Sequence, residues 1–399
     1  MVRTAGATLR SIPRLFQIFS GDDPDAIIPS ASGVRSWLLR LGLFALREPL
    51  PVATDWLFLI DHSVQIGTIK ACVIVGIRQS QLPAPMRPLR AEDLHLLGLH
   101  PVETSNGEVV LEQLEQAAQR VGIPREITSD HGSDVKKGCE LFAARHSETR
   151  LAYDTAHHGA IVLKKRLEAH PLWSSFNSRL GKVKAQLLQT SDAFLVSPSP
   201  RSKARFMNVA SLLKWSRAIL RLLDRGASGG CSSERAWERY GWLKDYRGAI
   251  SEWSRWEATV RATVSFVRTQ GLRLGGEWSL LATLRNRPQA ERHQVLETEL
   301  FNVLRESCSG LRDNEVLIGS TEVLESLFGK WKTVERQESK SGMTSLLLSL
   351  GTLVGKWSPE RMCQALLAIG VKHVKHWCDE HLPPSLQSQR RLAFRAEDP

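Results

Sequence analysis

The sequence predicts an α/β protein: a mixed five-stranded sheet with flanking helices, interrupted by a large all-α insertion. Three observations predict it. Short apolar runs of strand character alternate with helix-period segments between residues 56 and 168. The opening strands follow one another directly, whereas the later ones are separated by helices, which requires both antiparallel and parallel pairs in one sheet. From residue 170 onward strand patterns nearly vanish, and seven of the 12 tryptophans gather between 170 and 318.

Residues 1–50 read as a helical N-terminal segment, short for a complete DNA-binding helical domain. Within it GVRSWLLRLGLFAL (33–46) places Val34, Trp37, Leu38 and Leu41 on one helix face. Residues 51–169 form the first part of the core. WLFLI (56–60) is an apolar strand ending at Asp61, HSVQIGT a turn, and IKACVIVGI (69–77) a second strand. A Pro-rich loop (83–88) leads to a third strand near 94–103. Asn106 can cap the helix that follows, whose apolar positions Val110, Leu111, Leu114, Ala117, Ala118 and Val121 have helical spacing, stopped by Gly122 and Pro124. REITS (125–129) is a strand ending at Asp130, 133–146 a helix, TRLAY (149–153) a strand ending at Asp154, and 156–168 a helix.

Residues 170–318 read as the all-helical insertion, with a flexible break at GASGGCSS (226–233). Its tryptophans offer surfaces on which an unpaired base can stack. Helical spacing more often means core, and Trp253 and Trp256, three apart, are expected to pack. Residues 319–399 complete the core, with helices over STEVLESLFGKWKTVE (320–335), 344–355, 359–370 and 371–379.

The chain carries 53 Lys and Arg against 42 Asp and Glu, a formal net charge of +11. The surplus is concentrated: between Lys164 and Arg225 stand 13 Lys or Arg and only three acids. A one-sign run of this length points to phosphate contacts, with nucleic acid as the first partner and Lys182, Lys184, Arg201, Lys203 and Arg205 as the expected contacts. The six cysteines form no CxxC pair, and Cys363, His373, His376 and Cys378 match no common zinc spacing. The first 20 residues lack a signal-peptide core, and no apolar run approaches the roughly 18 residues of a membrane helix, so a reducing, cytoplasmic setting, nucleoid-associated and prokaryotic, is expected. The absence of a GxxxxGK[ST] segment argues against a P-loop ATPase.

Asp61 and Asp130 each follow an apolar strand, at matching places in the strand order. Two carboxylates brought together at one edge of a sheet repel unless a cation joins them. Hard oxygen donors there suit Mg²⁺ or Mn²⁺, and two such ions about 4 Å apart serve phosphoryl transfer.

The strand order is similar to that of the ribonuclease-H-like fold. Ser129-Asp130-His131-Gly132-Ser133-Asp134 resembles the T/S-D-N/H-G-S segment around the second catalytic aspartate of DDE transposases and retroviral-type integrases, with His131 in place of the commoner Asn. The resemblance implies Asp130 as second metal ligand and Asp61 as first. Members with an all-helical insertion, such as the hAT-type transposases, carry the third acid beyond it. Glu322 and Glu325 stand there, three apart on one helix face, and Lys332 lies seven beyond Glu325, resembling the E-(6)-K part of an insertion-sequence transposase signature. The upstream Tyr and Arg of that signature are absent, with Ile318 and Thr321 in their places. Glu325 is preferred to Glu322, beside the plain alternative of two exposed helix acids. Asp154-Thr155-Ala156-His157 resembles the C/D-x-x-H motif of hAT-type enzymes, which implies that His157 touches the scissile phosphate or a flipped nucleotide. Equally, Asp154 can cap a helix whose first-turn His157 or His158 bonds to it.

The resemblance implies a DNA transposase that uses two Mg²⁺ or Mn²⁺ ions held by Asp61, Asp130 and Glu325 to cut double-stranded DNA at element ends and join it to target, working as a homodimer or larger assembly. Two rivals are an inactive, transposase-derived DNA-binding protein and a nuclease of the same fold that does not join strands.

Overall fold

A computed structural model of the protein describes residues 7–21, 23, 25–66, 69–130, 132–199, 206, 208–226, 230–336, 344–384 and 386–395. These divide into two compact units, one formed by the chain up to Asp154 and from Leu317, the other by Thr155–Val316.

The first unit holds the sheet. Its strands are β1 (Trp56–Ile66), β2 (Ile69–Arg78), β3 (His95–Val102), β4 (Glu126–Ser129) and β5 (Arg150–Tyr153), in the order β3-β2-β1-β4-β5. β1, β2 and β3 form an antiparallel meander, and β4 and β5 run parallel to β1. The parallel strands are reached through helices, because a parallel neighbour needs a crossover long enough to carry the chain back. This mixed sheet with flanking helices and a helical insertion is a ribonuclease-H-like fold.

Helices α1 (Ser11–Ser20) and α2 (Ala31–Arg47) precede the sheet; α1 falls in a stretch with few sequence signals. α3 (Gly107–Val121) starts as expected, with the Asn106 side chain accepting from the Val109 N–H. α3 and α4 (Ser133–Arg145) cover one sheet face, where Trp56, Phe58, Ile60, Cys72, Ile74 and Ile127 pack against Val110, Leu114 and Phe142. By strand alternation Leu57, Leu59 and Asp61 belong to the opposite face, and Leu57 and Leu59 are fully buried there.

After Leu317 come α12 (Glu322–Glu335), a nine-residue 3-10 segment (Ser345–Leu353), α13 (Pro359–Ala368), α14 (Val371–His381) and α15 (Leu386–Arg395). The 3-10 segment stands where a helix over 344–355 is expected. The Ser349 and Thr352 hydroxyls donate to carbonyls three residues back, Leu346 and Ser349, which suits the tighter turn. It also crosses α2 at two glycines: a Cβ on Gly42 would lie 1.7 Å from the Leu348 carbonyl oxygen.

The second unit is helical: α5 (Thr155–Ala169), α6 (Trp173–Leu187), α7 (Val209–Arg225), α8 (Gly230–Tyr240), α9 (Arg247–Gln270), α10 (Gly276–Arg285) and α11 (Gln294–Cys308). Helix α5 belongs to it rather than to the sheet unit, because Leu163 and Leu167 bury in the same core as Val260 and Val264. Trp173, Trp253 and Trp256 are buried there too, so packing is their role, whereas Trp237 and Trp278 are exposed.

Candidate active site at the carboxyl ends of the strands

β1 is longer than its apolar run. The polar stretch after Ile60 continues the strand by pairing with the first residues of β2, so Asp61 lies within β1 rather than at its end. What ends near Asp61 is the parallel neighbour. β1 and β4 pair through Leu57↔Glu126, Phe58↔Ile127 and Leu59↔Thr128. Two more steps in that register set Asp61 beside Asp130, one strand apart. The β1–β2 register slips between Asp61 and Val64, a bulge immediately after the aspartate; bulges of this kind re-aim side chains at functional edges.

The same lip extends to β5. Its register with β4 runs to Ser129↔Tyr153, and the Asp154 N–H donates to the Ser129 carbonyl at 2.9 Å. Asp154 therefore follows Asp130 in line, giving an aspartate on each of three neighbouring strands. The three differ in surroundings. Asp61 is buried at 9 % exposure, Asp130 is half-buried, and Asp154 is fully buried. Asp130 Oδ1 accepts from the Gly132 N–H at 3.0 Å, the local Asx bond that suits a turn into a helix. His131, between them, lies outside the described residues.

Asp154 Oδ2 accepts from the Thr321 hydroxyl at 2.7 Å. Thr321 is the residue before α12, so this bond pins the start of that helix to the sheet. A second buried acid does the same for the preceding residues. Glu126 accepts from the Ile318 and Gly319 N–H groups at 2.8 and 3.1 Å and from the Thr128 hydroxyl at 2.9 Å. Burial pushes the Glu126 carboxyl above its ordinary value, against the opposing pull of those donors. Glu126, the first residue of β4, was not among the expected site residues, and nothing in the mostly polar EITS segment marks it as buried.

Glu322 and Glu325 both stand in the first turn of α12, Glu322 half-buried and Glu325 exposed. Lys332, two turns on, is exposed as well. Among the described residues no group of three or more His, Cys, Asp or Glu side chains is gathered into a set that could hold a metal ion. The register alone brings Asp61 and Asp130 to neighbouring strand positions.

Beside Asp130, Asp134 ties three elements. Lys70 of β2 donates to its Oδ2 at 2.7 Å, and His62 Nδ1 of β1 lies 3.5 Å from the same oxygen. Burial alone would raise the Asp134 carboxyl, but the hydrogen bonds of Lys70 and Ser105, with the charges of His62 and Lys70, outweigh it and hold it well below the ordinary carboxylate range. Burial pushes the His62 imidazole below its ordinary value despite Asp134. Lys70 was not among the expected site residues.

The remaining predicted residues lie elsewhere. His157 is in the first turn of α5, in the helical unit. Lys182 and Lys184 are on α6, Lys182 exposed and Lys184 bonded to the Ser199 hydroxyl. Arg201, Lys203 and Arg205 lie outside the described residues. No described helix is long and apolar enough to cross a membrane.

No family model matches the chain, and no curated protein matches it. Among solved structures it is similar to a chain of a Drosophila P element transposase strand transfer complex, with 11% identity and a TM-score of 0.39 over 90% of this chain and 96% of that one.

Proposed function

We propose that this protein cuts and joins DNA strands by metal-dependent phosphoryl transfer, as a DDE-type transposase does. The observation that carries the reading is the parallel register that sets Asp61 beside Asp130 at the carboxyl edge of the sheet. Two neighbouring carboxylates suit Mg²⁺ or Mn²⁺, since such ions are commonly held by one or two carboxylates while water and substrate phosphates complete the shell. When bound, two ions supply Lewis-acid chemistry at the scissile phosphate.

In this reading Asp61 and Asp130 hold the ions, with the Gly132 N–H fixing the Asp130 side chain. Glu325 is the third acid: it is exposed, and the Thr321–Asp154 bond anchors the start of its helix. His157 touches the scissile phosphate. Lys182, Lys184 and Lys332, with Arg201, Lys203 and Arg205, contact the DNA backbone, and the protein works as a homodimer or larger assembly on paired ends.

The test is nicking of supercoiled plasmid by the purified protein with Mg²⁺. Asp61→Asn and Asp130→Asn should each cut about 10³-fold more slowly or worse, the scale of several kcal/mol of lost charge stabilisation, while DNA binding persists. Undiminished nicking by both variants rejects the proposal. Glu325→Gln should lose cleavage where Glu322→Gln keeps it, and the opposite pattern assigns the role to Glu322. Joining of the cut 3′ end to a second DNA separates a transposase from a nuclease on the same fold.

A further inference from the structure

We infer that a groove within the helical unit, between α7 and α9, is the track along which a nucleic-acid backbone runs, gripped by Arg217, Arg221 and Arg255. The inference takes its partner from the proposed function; the groove itself is a separate observation. Its cavity measures about 670 Å³ and is lined by six arginines against two glutamates. Three of the arginines already have acidic partners. Arg247 holds Asp224 through two bonds of 2.6 and 3.0 Å, Arg261 holds Glu257 at 2.9 Å, and Arg287 holds Glu291 at 2.9 Å. These pairs neutralise the groove's own acids. Arg217, Arg221 and Arg255 form no salt bridge among the described residues; Arg217 lies within the electrostatic reach of Glu257, but that carboxylate is already held by Arg261, so three guanidinium forks are left for an outside anion.

The shape of the basic surface selects a chain of phosphates over a single one. Along α9 the lining positions recur every three or four residues, so they form one face. From Arg247 to Arg261 that face runs about 21 Å at 1.5 Å per residue. A nucleic-acid strand advances roughly 3.4 Å per phosphate, so about six phosphates fit the same length. Between the arginines the floor is low, because Ser251, Ser254, Ala258, Ala262 and Ser265 are small. A backbone can therefore lie close to the helix while the guanidinium groups close over it from α7 and α9. These arginines are not the ones singled out in the sequence. Arg217 and Arg221 are a turn apart on α7, and Arg255 is 34 positions further on, so only the fold assembles them.

The test compares the full-length protein with the triple variant Arg217→Gln, Arg221→Gln, Arg255→Gln, by titration of a 30-bp duplex at several salt concentrations. Loss of three phosphate contacts should flatten the slope of log affinity against log salt by about 2.7 and weaken binding more than tenfold at low salt. The matching Arg→Lys triple variant should keep most of the slope, and unchanged circular dichroism and thermal midpoints show that the variants fold. A slope unchanged in a folded Gln variant overturns the inference. So does a groove that binds free tripolyphosphate tightly while DNA affinity ignores the substitutions. The two proposals fail separately. Intact nicking by Asp61→Asn and Asp130→Asn removes the catalytic reading and leaves the groove, whereas an unchanged salt slope removes the groove and leaves the catalysis.

Discussion

Asp134 brings one carboxylate to bear on three elements: it starts α4, binds Lys70 of β2 and faces His62 of β1. Its place in the first turn of a helix also suits the positive end of the helix dipole. Because its folded pKa lies well below the ordinary value of 3.8, its contribution to stability is in place at neutral pH, starts to fall away as the pH drops past 3.8 and is gone only below the folded pKa. Asp134→Asn should therefore cost about 1 kcal/mol at pH 7, a modest figure because the pair is partly solvated, and the deficit should narrow from pH 5 towards pH 3. Urea unfolding of both proteins across that range checks it; an equal deficit at every pH would mean that packing, not charge, was lost. Asp134 was legible as the last residue of the SDHGSD segment, but its partner was not. Lys70 lies 64 positions earlier, and nothing local marks a lysine at a strand's start as a partner for a distant acid.

Among the elements, the short apolar runs disclosed the strands and the 3.6-residue spacing disclosed α3, α4 and α12. The end of β1 was not disclosed, because His62–Ile66 looks like a turn until β2 is there to pair with it. The anchoring of α12 was also hidden. Its first turn is held by Thr321 on Asp154, a contact across 167 positions, and the residues before it by Glu126, across 192 and 193. Burying a carboxylate costs less when donors surround it, so these bonds stabilise the sheet unit and aim the helix at once. Thr321→Val removes one donor from a fully buried acid and should cost about 1–3 kcal/mol. It should also slow nicking more than it weakens DNA binding, because it loosens the helix that carries Glu322 and Glu325. Thr321→Ser, which restores the hydroxyl, should recover both. Recovery of stability without recovery of nicking would separate the anchor from the chemistry.

On the scale of the whole molecule, the chain leaves the sheet unit after Asp154 and re-enters it at Leu317. The two crossing points are neighbours: the Asp154 side chain meets Thr321, and Glu126 holds Ile318 and Gly319. An element inserted between adjacent points need not be part of its host's folding, and the helical unit has a core of its own built on Leu163, Phe176, Leu220, Tyr240 and Trp253. Replacing residues 155–316 by a flexible linker of about eight Gly and Ser residues should therefore leave a sheet unit that unfolds in one cooperative step, since closing so short a loop costs little. Most of the chain's positive surplus, including Arg217 and Arg221, lies in the removed segment, so the shortened protein should bind DNA weakly and with a shallow salt dependence. Circular dichroism melting and a duplex titration measure the two effects independently. A shortened chain that does not fold would show that the sheet unit depends on the helical unit, and one that binds DNA as tightly as the full chain would place the phosphate contacts on the sheet unit instead.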